Sequence, residues 1–222
     1  MRLRTPATLA ATVALALGAS ACGGDNETES AANEDTRPAS QPKPVAQIDQ
    51  LTGRTTAVAL DAGFVSALES LKVTPAPVGD ATITKNGSAV FPITGGNVTY
   101  YKPGTVSPYV QGRVDHEGSG LSLTAGGKKV RLTNFVVDPG ASVLTGRVTV
   151  NGKEAAPSAP LFFLDGRTLQ PLQVKNNGTA VLEGTTVKLK AEAAELLNTT
   201  FGIDALKEGL VIGEAKITVN TQ

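Results

Sequence analysis

A single cysteine, Cys22, leaves no room for an internal disulfide, so no covalent staple stabilises the fold. Cysteine and histidine occur once each, which is too few for a closed zinc site of the usual Cys/His kind. Tryptophan is absent, and three tyrosines with six phenylalanines are a poor stock for stacking bases. The formal net charge is +0, so the basic footprint of a nucleic-acid binder is missing too, and no nucleic acid is expected as a partner. There is no Gly-x-Ser-x-Gly elbow, Walker loop, dinucleotide fingerprint or zinc-protease pair. The carboxylates are scattered as on a solvated surface. The chain is therefore not expected to be an enzyme.

What is present begins with a targeting segment. Arg2 and Arg4 form a positive start, Leu9 to Leu17 is a short apolar run, and Gly18-Ala19-Ser20-Ala21 leads to Cys22. The run is too short for a mature membrane span. "GASAC" resembles a bacterial lipobox, with Ala19 where leucine is commonest. The expectation is a lipoprotein-type signal peptide over residues 1–21 and acyl chains such as palmitate on Cys22. These would hold the protein on the outer face of the bacterial membrane, with the membrane as partner through that anchor. Without the signal the chain loses Arg2 and Arg4 and carries a net charge of about −2. Residues 22–50 read as lipidated cysteine and disordered tether, because "GGDNETESAANEDTRPASQPKP" has almost nothing apolar to bury. Such a stretch reaches roughly 30 Å as a random coil.

From residue 51 to 222 the pattern becomes globular. Glycine (24) and proline (13) punctuate runs rich in valine and threonine, the signature of strands joined by tight turns. Strands are expected at "TTAVAL", "NVTYY", "VQGRVDH", "LSLTA", "KVRLTNFVV", "SVLTGRVTV", "LFFLD", "LQPLQV", "VLEGTTVKL" and "LVIGEAKITV", and "GDATITKNGSAVFPI" reads as a hairpin. "DAGFVSALESL" reads as a helix capped by Asp61, and "AEAAELLNTTFG" as a helix ending at Gly202. The fold class is mainly β, an antiparallel β-sandwich with two short helices. An internal echo aligns residues 56–68 with 185–196, and "VGDATIT" with "IGEAKIT". It predicts two equivalent units in one sheet system.

The candidate site residues lie in the middle of the chain. Along "VQGRVDHEGSGLSL", alternation puts Val110, Val114 and His116 on one face and Arg113, Asp115 and Glu117 on the other. His116 is thus on the apolar face, turned from its acidic neighbours. It is either a structural hydrogen-bonding group or the lining of a pocket beside a Gly118–Gly120 turn. Ser119 is near it in sequence, a weak sign of a nucleophile and base. Tyr100, Tyr101 and Tyr109 cluster in "YYKPGTVSPYV" and are either packing residues at a sheet edge or phenol donors to a ligand.

Four stretches carry a family resemblance: "FPITGG" (91–96), "GRVDHEGSGLSL" (112–123), "VRLTNFVVD" (130–138) and "LLNTTFG…GLVIGEAKIT" (196–218). They resemble the HtaA domain, a family of bacterial cell-envelope modules, and the resemblance covers most of residues 53–220. It implies a β-rich fold with short helices, an envelope location and haem as candidate ligand. In haem-binding members a histidine in the segment of His116 accompanies the site, which makes His116 the candidate haem contact here. A tyrosine in an early Ser-Phe-x-x-Tyr stretch ligates the iron in those members. Phe64 matches that phenylalanine, but Ser66, Ala67 and Leu68 follow it and no tyrosine does. Phenolate ligation would then fall to Tyr100, Tyr101 or Tyr109. The expected function is a cell-surface binding module for haem or another flat apolar ligand. The alternative is a structural or adhesion module contacting other envelope components.

Overall fold

A computed structural model describes residues 42–221. The expected signal peptide, Cys22 and the tether up to residue 41 lie outside the described residues. The chain continues with β1 (Ala46–Ile48), β2 (Arg54–Leu60), α1 (Ala62–Ser70), β3 (Thr74–Gly79), β4 (Thr82–Ile83), β5 (Ser88–Pro92) and β6 (Gly95–Tyr100). Four longer strands form the middle: β7 (Val110–Ala125), β8 (Lys128–Asp138), β9 (Val143–Val150) and β10 (Lys153–Asp165). A 3-10 turn (Gly166–Thr168), β11 (Gln173–Lys175), β12 (Thr179–Leu189), α2 (Ala191–Phe201) and β13 (Val211–Asn220) complete the order. Among the described residues no helix is long and apolar enough to cross a membrane.

The fold is mainly antiparallel β with two short helices, and its facing layers belong to one continuous sheet. The strand order is β1-β6-β7-β8-β9-β10-β12-β13-β2-β5-β4, with β3 added on β7 and β11 on β12. The sheet curls on itself. Phe91 of β5 meets His116 of β7 edge-on at 6.3 Å and Phe135 of β8 at 5.2 Å, although β5 and β7 stand near opposite ends of that order. Curling buries inward-facing residues of the long strands, including Val130, Val148 and Leu161. Each such side chain contributes about 1.5–3 kcal/mol of hydrophobic stabilisation.

Local chemistry sets the ends of these elements. The Asp61 carboxylate accepts from the backbone N–H of Gly63 (2.8 Å) and Phe64 (3.2 Å) and so starts α1. Gly202, left-handed at φ 70°, ends α2 by donating to the Asn198 carbonyl. The β9–β10 turn holds Asn151 and Gly152 at φ 50° and 82°, the left-handed pair that suits the twist of a two-residue hairpin.

Four expectations change. Ala46–Ile48, inside the expected tether, is a strand paired with β6. The two strands expected around Gly118–Gly120 are one 16-residue strand, β7, and the glycines form a bulge rather than a turn. β3 is an addition to the expected strands; it carries Pro75 and Pro77 and pairs with β7 alone, which spares it a second ladder. The echo holds only in part: β2 and β12 both flank β13 and both lead into helices. "IGEAKIT" runs unbroken in β13, whereas "VGDATIT" is split between β3 and β4, which join different strands. The split follows Gly79 at φ 60°, where a Cβ would lie 1.7 Å from the Gly118 carbonyl oxygen.

Candidate functional site

His116 ends the regular first half of β7, opposite Phe135 of β8. Beyond it the register slips until Gly120 faces Thr133. Three hydrogen bonds hold the bulge. Glu117 N–H donates to Thr94 Oγ1 at 2.9 Å, Gly118 N–H to Asn134 Oδ1 at 3.0 Å, and Ser119 Oγ to the His116 carbonyl at 3.2 Å. Ser119 thus bonds the backbone of His116 and not its ring, so the two do not form a nucleophile–base pair. Asp115 points outward as alternation requires and pairs with Arg113.

The His116 imidazole reaches across the interior. It is 1% exposed, and Nε2 hydrogen-bonds Thr56 Oγ1 of β2 at 2.8 Å. Nδ1 is buried without a hydrogen-bond partner. Burial lowers the pKa to about 4, against the smaller opposing effects of the Phe135 backbone and the Asp115 charge. The ring is therefore neutral at neutral pH, clamped among Phe91, Phe135 and Thr56.

A cavity of about 500 Å³ opens on one side of this clamp. Its walls are apolar, among them Val98, Val114, Val137, Leu144, Val187 and Ile217, and Thr56 lines it as well. That size and lining are those of a small-molecule pocket. Tyr100 and Tyr109 both line it and meet edge-on at 5.8 Å. Burial, and then the neighbouring Tyr100, push the Tyr109 phenol pKa up, so it stays protonated at neutral pH. Tyr101, the third candidate, does not line the cavity, and neither does His116. The structure thus brings two tyrosines to one pocket and sets the histidine behind Thr56.

Residues 165–172 form another part of the cavity wall. The Asp165 carboxylate, 6% exposed, accepts from Arg167 Nε (2.9 Å) and Nη2 (2.6 Å) and from Lys188 Nζ (2.8 Å). These bonds hold its carboxyl well below the usual carboxylate range. Thr168 Oγ1 donates to the Gly184 carbonyl, and Leu169 and Leu172 line the cavity beside Arg167. No local pattern in the sequence marks this cluster. An Asp with an Arg two residues on is common, and Lys188 joins it only through the pairing of β10 with β12.

A second cavity, of about 160 Å³, lies beneath the helices and is lined by Leu68, Leu123, Leu132, Leu161, Leu197 and Ile212 among others. Phe64, the residue matched to the family's early phenylalanine, borders this smaller cavity. Of the positions that follow it in place of a tyrosine, Ser66 and Ala67 line neither cavity, and Leu68 lines the smaller one. Among the described residues no cluster of three His, Cys, Asp or Glu side chains is placed to hold a metal ion.

No family model and no curated protein matches the chain. Among solved structures, it is similar to the C-terminal domain of HtaA from Corynebacterium glutamicum, with TM-score 0.54 and 13% identity, over 77% of this chain and 98% of that domain. The haem-binding protein HtaB from the same organism aligns at TM-score 0.45 and 12% identity, over 79% of this chain and 96% of that one. At such identity the first likeness shows a shared fold.

Proposed function

We propose that the chain is a binding module that takes a flat, apolar small molecule into the 500 Å³ cavity, with haem as the ligand to test first. The cavity carries this reading. It is a large, mainly apolar space whose polar lining includes the phenols of Tyr100 and Tyr109, the Thr56 hydroxyl and the Asp165–Arg167 pair. The residues present fit a porphyrin held as cargo. Val98, Val114, Val137 and Leu144 would pack its faces, and Tyr100 and Tyr109 are the oxygen donors available to an iron. Arg167 is the cation available to a carboxylate side group. In this reading His116 supports the wall through Thr56 and does not ligate. The work of the module is capture rather than catalysis. Lipidated Cys22 would display it on the outer face of the membrane, a reading that rests on the "GASAC" stretch.

Hemin titration of the purified residues 42–222 tests the ligand. A saturable Soret shift, reduced when Tyr100 and Tyr109 are both changed to Phe, supports haem. No spectral change at micromolar hemin removes haem and favours an envelope module without a small ligand. The anchor is tested separately: labelled palmitate should enter the full-length protein and not Cys22→Ala.

A further inference from the structure

The interior of the curled sheet is divided. The two cavities share no lining residue, yet several strands contribute to both at different heights. On β7, Val110 and Val114 line the large cavity, while Leu121 and Leu123 line the small one. On β8 the corresponding residues are Val137 and Leu132. Between these pairs stand His116 and Phe135, cross-strand partners that line neither cavity wall. Phe91 closes the layer from β5 by packing edge-on against both rings. The layer is tight. A Cβ on Gly146 of β9 would lie 2.9 Å from side-chain atoms of both Phe135 and Leu161.

We infer that His116, with Phe91 and Phe135, is a septum that sets how deep a ligand reaches, and thereby fixes the length of apolar body the module accepts. The inference rests on ligand capture in the large cavity. His116 is the member suited to this task, because its imidazole spans from β7 to Thr56 on the far wall and is anchored there. Thr56 is the point where the septum meets the large cavity. Beyond the septum lies apolar space that a longer ligand would fill, closed at its far side by Leu68 of α1 and Leu197 of α2.

Straight-chain carboxylates from octanoate to stearate are the probe. In the wild-type domain, affinity should rise about fourfold per added methylene until the chain fills the large cavity, then level off. In His116→Ala the rise should continue through several further methylenes. A plateau at the same chain length in both proteins overturns the septum. If no carboxylate binds the wild type, the hemin titration decides the capture reading, and xenon judges the septum by itself. Crystals of the wild type under xenon should show two separate sites, one on each side of His116. One continuous column of xenon through the wild-type interior overturns it. Should His116→Ala not fold, Phe91→Leu and the wild-type xenon sites decide in its place.

Discussion

The two ends of the interior are built to opposite rules. At the end under α1 and α2, leucines from both helices and from four strands leave about 160 Å³. At the other end, strands of the same sheet leave about 500 Å³ and border it with Tyr100, Tyr109 and the Asp165–Arg167 cluster. The helix-capped end looks like an ordinary core, in which empty space costs stability. The open end keeps its space, and its polar groups stand where a ligand would meet them. His116 belongs to the boundary, and its chemistry is that of a packed residue: neutral, anchored and screened from solvent.

Mutations on either side should separate these regions. The largest loss is expected at the septum, where Phe135→Ala should cost about 3–5 kcal/mol in urea unfolding. A cost near that of an exposed residue would mean that the layer is loose. Acid should act at the same place. His116 titrates near 6.5 when unfolded and about 4 when folded, so the unfolded chain binds more protons between those values. Its contribution is complete above pH 6.5, and about 3 kcal/mol is lost as the pH falls to 4. His116→Leu should flatten that part of the pH–stability curve, and an unchanged slope would assign the acid sensitivity elsewhere.

Smaller effects are expected around the large cavity. Leu144 already borders empty space, so Leu144→Ala should cost under about 2 kcal/mol, the low end for leucine truncation. A larger loss would mean that the cavity is closed in solution. Arg167, whose side chain is 83% exposed, should leave the unfolding midpoint unchanged when replaced by Ala, because solvent screens such pairs. A clear drop in the midpoint would give the Asp165 cluster a structural role.

Much of the fold was legible in the sequence, because alternation and turn chemistry are local. The period of two held from Val110 to His116, so the inward direction of the histidine could be read from its neighbours. It failed at Gly118–Gly120, because a bulge shifts the register without any turn. The cavity was not legible at all. It is the space enclosed by Val98, Val137 and Ile217, which are distant in sequence and come to one wall only through the curl of the sheet. The family resemblance pointed to His116 as a haem contact, since a matching motif says nothing of what stands between a side chain and a ligand. Here Thr56 lines the cavity with His116 bonded behind it, and nothing near residue 56 announces that.

The separation of pocket from septum is tested most directly by one paired titration of hemin into two variants. Val98→Trp fills the cavity and leaves the septum alone, while His116→Leu alters the septum and leaves the cavity wall in place. Val98→Trp is expected to lose the Soret shift and His116→Leu to keep it. Loss in His116→Leu with full binding by Val98→Trp would contradict it and return the histidine to the ligand.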